Sequence, residues 1–140
     1  MVKHQHEDAT WWCLPGGGVE VNETPAEAAV RELWEECRVD GVVIRELATQ
    51  VYSPRDRSYT FLLEIGDQDP QLGIDPEFTG DAQILVDVRW LALSEIPERD
   101  RAFLWASGLL GLEDFLSEVE SWGNEISYPK VGEGYGNQSY

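Results

Sequence analysis

Glu32, Glu35 and Glu36 stand at helix offsets i, i+3 and i+4, directly after Arg31, within the stretch GGVEVNETPAEAAVRELWEECRV of residues 17–39. Side chains so spaced lie one above another on a single helix face. Three carboxylates placed this way repel each other, and acids in a last helical turn oppose the helix dipole. A divalent cation turns that penalty into attraction, because hard cations such as Mg2+ prefer carboxylate oxygen. The pattern reads as a metal site, against the commoner case of a solvated acidic face on an acidic protein.

The neighbouring residues specify the helix that must carry these acids. Thr24 suits the N-cap, Pro25 the first helical position, and Glu27 completes a Thr-x-x-Glu capping box. At about 100° per residue, Val30, Leu33, Trp34 and Cys37 fall on one side and predict a core-facing stripe. The acids are then expected on the opposite face. In front of the helix, Leu14-Pro15-Gly16-Gly17-Gly18 reads as a glycine-rich turn.

Residues 2–6 and 10–14 read as short strands. Residues 42–51 and 58–65 read as two more around the turn Ser53-Pro54-Arg55-Asp56-Arg57. Residues 68–80 read as a loop, residues 84–91 as a strand, and residues 101–122 as a helical region interrupted by Gly108 and Gly111. Helices interleaved with strands predict an α/β fold with a mixed sheet between helices. Residues 1–127 read as one domain, and residues 128–140, with little periodicity, as a mobile tail.

The chain has 27 acids against 10 bases and a net charge of −17. A nucleic acid is repelled by that field, so no nucleic-acid partner is expected. A phosphorylated small substrate meets the same repulsion, which makes a bridging metal more necessary. No apolar run approaches transmembrane length and no signal peptide is visible, so the expectation is a cytoplasmic protein without a membrane partner. Cys13 and Cys37 lack metal-motif spacing and read as buried thiols. His4 and His6, alternating on a strand, read as ordinary surface histidines.

The stretch from residue 17 resembles the Nudix box, with Gly17, Glu23, Arg31, Glu32, Leu33, Glu35, Glu36 and Val39 matching eight of nine defined positions. With 13 Gly, 17 Glu and 8 Arg in the chain, the six fixed letters would align by chance with odds on the order of one in several thousand. Arg38 departs from the pattern at a glycine position that usually wants φ > 0. Asn22 replaces the glycine common before the box glutamate, and Asn accepts a left-handed conformation.

The resemblance implies an α/β/α sandwich, here lacking the usual first strand because only ten residues precede Trp11. An exposed sheet edge would follow, and with it a homodimer that covers the edge. The resemblance further implies hydrolysis of a phosphoanhydride in a nucleoside diphosphate linked to another moiety, with Mg2+ as cofactor and Mn2+ as the alternative ion. Glu35 and Glu36 match metal ligands, Glu32 a ligand or the general base, and Gly16 a backbone carbonyl ligand. Gly17 and Glu23 are structural parts of the box, and Arg31 pairs with Glu23 to orient the helix. A later loop acid often completes such sites. Glu77, Asp81 and Asp87 are candidates, and Glu77 is taken. Arg55 and Arg57 suit a terminal phosphate, while Tyr52, with Trp12 and Tyr59, suits stacking on a base. The competing reading is a catalytically silent nucleotide-binding or regulatory protein of the same fold.

Overall fold

The computed structural model describes residues 1–74 and 84–122. In chain order the elements are β1 (Val2–His6), β2 (Ala9–Cys13), α1 (Pro25–Cys37), β3 (Val42–Ser53), β4 (Asp56–Glu64), β5 (Leu85–Val88), α2 (Glu98–Ala106) and α3 (Glu113–Ser121), with 3-10 turns at Leu93–Glu95 and Leu109–Gly111. The expected tail over residues 128–140 lies outside the described residues.

The strands form two sheets, β2-β1-β5 and β3-β4, and every described pairing is antiparallel. This is compatible with an α/β/α sandwich, while a parallel pair of the expected mixed sheet does not occur among the described residues. Both hairpins close through two residues, a connection that permits only antiparallel pairing. In the first, His6 faces Ala9 across Glu7-Asp8, and Glu7 takes a left-handed φ of 52°. In the second, Ser53 faces Asp56 across Pro54-Arg55, so the turn is tighter than the five residues expected.

Helix α1 starts as its sequence requires. Thr24 is extended (φ −86°, ψ 157°), its Oγ1 accepts the Glu27 amide at 3.2 Å, and Glu27 Oε2 accepts the Thr24 amide at 2.8 Å. The helix ends at Arg38, which adopts the left-handed conformation (φ 56°, ψ 36°) that the family's glycine would take. Arg38 donates its amide to the Trp34 carbonyl at 2.9 Å. Asn22 is also left-handed, at φ 69°.

Which face of α1 is buried differs from the hydropathy reading. The buried residues are Ala28, Glu32, Glu36 and Cys37, so a stripe at i, i+4 and i+8 runs through two of the acids. Trp34, expected in the core, is 45% exposed, with the Arg38 guanidinium 5.6 Å from its ring centre. The cause is the glycine turn, which lies against the acid face and covers it.

Two apolar clusters hold this arrangement. Val2, Cys37, Val39 and Leu85 fasten the end of α1 to β1 and β5, with Leu33 and Ile65 packed alongside. Leu93, Ile96, Leu104, Leu109 and Val119 form the second. Gly108, left-handed at φ 80°, breaks the helical region where the sequence suggested. The buried Asp100 accepts the Trp12 amide at 2.9 Å and Arg99 Nε at 2.7 Å, tying α2 to β2.

Arg38→Gly relieves about 1 kcal/mol of left-handed strain. It also frees the unfolded chain and removes the contact with Trp34, costs of about 0.5–1 kcal/mol each. The expected shift in melting temperature is therefore less than about 4 °C in either direction by calorimetry.

Candidate functional site

Arg31 is the hub of the acid cluster. Its Nε and Nη2 donate to the two oxygens of Glu23 at 2.9 and 3.0 Å, a bidentate fork. Nη1 donates to Glu32 Oε1 and Glu35 Oε2, both at 2.8 Å, and Nη2 also reaches the Gly18 carbonyl at 2.7 Å. One guanidinium thus joins the turn to the helix and serves three carboxylates. Its own pKa is raised, by the Glu23 hydrogen bond first, and Glu23 is lowered chiefly by Arg31.

Glu32 sits under the turn and is only 4% exposed. A Cβ added at Gly17 would fall 2.3 Å from Glu32 Oε1, which explains in steric terms the glycine at this box position. Burial pushes the Glu32 carboxyl above the usual range, aided by Glu36 and Glu35 and opposed by Arg31. Glu36 is 1% exposed, and its Oε2 accepts the Gly16 amide at 2.9 Å. Gly16 therefore meets the acid cluster through its N–H, whereas the group expected as a ligand is its carbonyl.

A residue read from the sequence as an ordinary surface histidine belongs to this site. His4 Nε2 lies 3.8 Å from Glu36 Oε1, beyond hydrogen-bond distance, and is buried without a hydrogen-bond partner. The ring meets Trp11 edge-on, with centroids 5.5 Å apart. Its pKa is pushed up to about 10, by the Cys13 side chain first and Glu36 next, against partial burial. A lone histidine on a short strand carries no sequence signal of this contact; only the β1–α1 packing creates it.

Other expected positions are spread more widely. A cavity of about 780 Å3 extends from Gly16, Gly17 and Glu32 to β4, where Arg57 and Tyr59 line it. Arg55 and Tyr52 do not line it; Arg55 caps its own turn through Ser53 Oγ, and Tyr52 is 66% exposed with its hydroxyl donating to Gln50. Trp12 is buried at 9% exposure and belongs to the core. Asp87, on β5, pairs with Arg89 just beyond the strand at 2.8 Å. Glu77 and Asp81 lie outside the described residues.

The donor chemistry suits a hard divalent cation, since Glu32, Glu35 and Glu36 offer carboxylate oxygens from one helix beside a glycine turn. Glu32 Oε2 and Glu35 Oε1 accept no hydrogen bond among the described residues. Arg31 draws Glu32 and Glu35 to itself, and no three acid, His or Cys groups gather as a ligand set among the described residues.

The raised His4 pKa gives a signed expectation. Protonated His4 contributes stability that is complete below its unfolded value of 6.5 and is lost as pH rises through about 10. In chelator-treated protein, the stability gap between wild type and His4→Ala should shrink across that window, read by urea denaturation. A gap independent of pH would contradict the assignment.

Comparison with known proteins adds to this geometry. A family model described as the NUDIX domain matches residues 1–109. Diphosphoinositol polyphosphate phosphohydrolase 3-alpha of Homo sapiens is 43% identical over 56 residues, covering 39% of this chain and 34% of its own length. Diphosphoinositol polyphosphate phosphohydrolase 2 of Mus musculus is 40% identical over 57 residues, covering 39% of this chain and 31% of its own length. The chain spans about a third of the length of the curated relatives it matches. No solved structure matches it significantly. With the box glycine, the arginine hub and the acid helix assembled as described, and with a family match over most of its length, the chain belongs to the NUDIX domain family.

Proposed function

We propose that the protein is a Mg2+-dependent hydrolase of a phosphoanhydride bond in a nucleoside diphosphate linked to another moiety, such as a nucleoside triphosphate or ADP-ribose. The observation that carries this reading is the assembled box: Arg31 joined to Glu23, Glu32 and Glu35, with Glu36 held under the turn by the Gly16 amide. Glu35, Glu36 and Glu32, with the Gly16 carbonyl, are the groups that would hold Mg2+, or Mn2+ in its place. The ion would supply charge neutralisation on the phosphate oxygens and acidify an attacking water. Glu32 would serve either as a further ligand or as the general base that accepts the proton of the attacking water, and Glu77 is the later acid assigned to complete the site. Arg31 is a positioning residue, since its donors are used on the acids.

Arg57, which lines the cavity, is assigned to the phosphates; Arg55 and Tyr52 do not line it. The relatives' names point to diphosphoinositol polyphosphates. Against that substrate stand ten Lys and Arg in the whole chain, a net charge of −17, and only Arg57 and Arg89 as side-chain cations among the described lining residues. A nucleotide with two or three phosphates asks for fewer cations. The reading includes a cytoplasmic location, no nucleic-acid partner and a homodimer; light scattering of a monomer at tens of micromolar would count against the dimer.

One observation favours a second reading, a catalytically silent nucleotide-binding protein: Arg31 occupies Glu32 and Glu35 together. Incubation with Mg2+ and a panel of nucleoside triphosphates, ADP-ribose, dinucleoside polyphosphates, nucleotide sugars and a diphosphoinositol polyphosphate, read by chromatography, decides between them. Thermal stabilisation by nucleotide without turnover would favour the silent protein.

Glu36→Gln should cost at least about 3 kcal/mol of transition-state stabilisation, a loss of more than 100-fold in kcat/KM, while the protein stays folded. Near full activity would refute the assignment. Gly17→Ala should displace the Glu32 carboxylate and lower kcat/KM at least about tenfold. Because the group it strikes is the end of a flexible side chain, stability should change by less than about 1 kcal/mol in a melting experiment.

A further inference from the structure

The last carbonyls of an α-helix have no donor within the helix and must find one elsewhere. In α1 these include the carbonyls of Glu35, Glu36 and Cys37, in the turn that also carries two of the acids. Each is met by a backbone amide from residues 71–74. Ile74 donates to the Glu35 carbonyl at 2.9 Å, Gly73 to that of Glu36 at 2.8 Å, and Gln71 to that of Cys37 at 2.8 Å. This strap, read from the sequence only as part of a loop, lies directly on the end of the helix.

Three further observations show what the strap contributes. Leu72 and Ile74 are 46% and 57% exposed, so packing of their side chains does not hold it in place. The last turn of α1 bears Glu35 and Glu36 and no basic residue of its own, the one cation there being Arg38 at the cap beyond it. At Gly73 an added Cβ would fall 1.8 Å from the Glu35 carbonyl oxygen and 2.8 Å from the carbonyl carbons of Glu35 and Glu36. Those are backbone atoms and cannot swing aside as the Glu32 carboxylate can. Any other residue at this position forces strap and helix apart.

We propose that Gly73 is a positioning residue for the acid pair: it lets the strap seat on the final turn of α1 and fix the backbone from which Glu35 and Glu36 present their carboxylates to one divalent cation. This rests on the metal-dependent reading above. The strap acts through the main chain, touching neither ion nor substrate, and its loss loosens the ligand set without altering a ligand.

The test is Mn2+ binding to the substrate-free chain, followed by titration calorimetry, for wild type, Gly73→Ala and the control Gly111→Ala, whose added Cβ meets nothing within 4 Å. Gly73→Ala is expected to weaken Mn2+ binding at least about tenfold, the scale of a lost supporting contact at a metal site, and the control to bind as wild type does. An ester in place of the Ile74 amide, which removes the donor to Glu35 and adds no atom, is expected to weaken binding in the same direction. It carries the test alone if Gly73→Ala does not fold. Wild-type affinity in a folded Gly73→Ala or in the ester variant overturns the inference while leaving the proposed hydrolase intact. A wild-type chain that binds no Mn2+ overturns both.

Discussion

A single guanidinium decides whether the acid face can exist. Glu32, Glu35 and Glu23 would repel one another across the junction of turn and helix, in a chain already at −17. Arg31 stands among them with five hydrogen bonds between 2.7 and 3.0 Å, four to these acids and one to the Gly18 carbonyl. Its pairing with Glu35 follows the weaker order along a helix, cation before anion. The helix alone therefore does not place the side chain; the fork on Glu23 does. Turn and helix are locked to each other through that fork, and the Gly16–Glu36 and Gly17–Glu32 contacts follow from it.

Much of the local structure was legible in the residues. Thr24, Pro25 and Glu27 cap α1 as their types require, Gly108 interrupts the second helical region, and the strands lie within a few residues of their expected places. Burial was not legible. A hydropathy pattern turns carboxylates outward, and nothing in it reports that Ala28, Glu32 and Glu36 form the covered stripe, or that Trp34 is left half exposed beside Arg38. That outcome belongs to the glycine turn, whose lack of side chains lets backbone press onto acids. His4 was missed for a related reason: its neighbours, Cys13, Trp11 and Glu36, are brought to it by strand pairing and helix packing.

Two glycines illustrate the same limit. Gly17 lies inside the box and announces itself by spacing, whereas Gly73 stands in a stretch with no periodicity. Both are places where a methyl group would collide, one with a carboxylate and the other with main chain. Only the three amides donated to α1 separate Gly73 from the other loop glycines, and main-chain hydrogen bonds between distant segments leave no trace in side-chain patterns.

Arg38 carries a broader lesson about signatures. Its torsion angles are those for which a glycine is normally chosen, yet the side chain is long, charged and laid against an indole. What that position of the box demands is a dihedral rather than a letter. A search insisting on the letter would discard this protein while keeping unrelated sequences that possess the glycine and lack the bend.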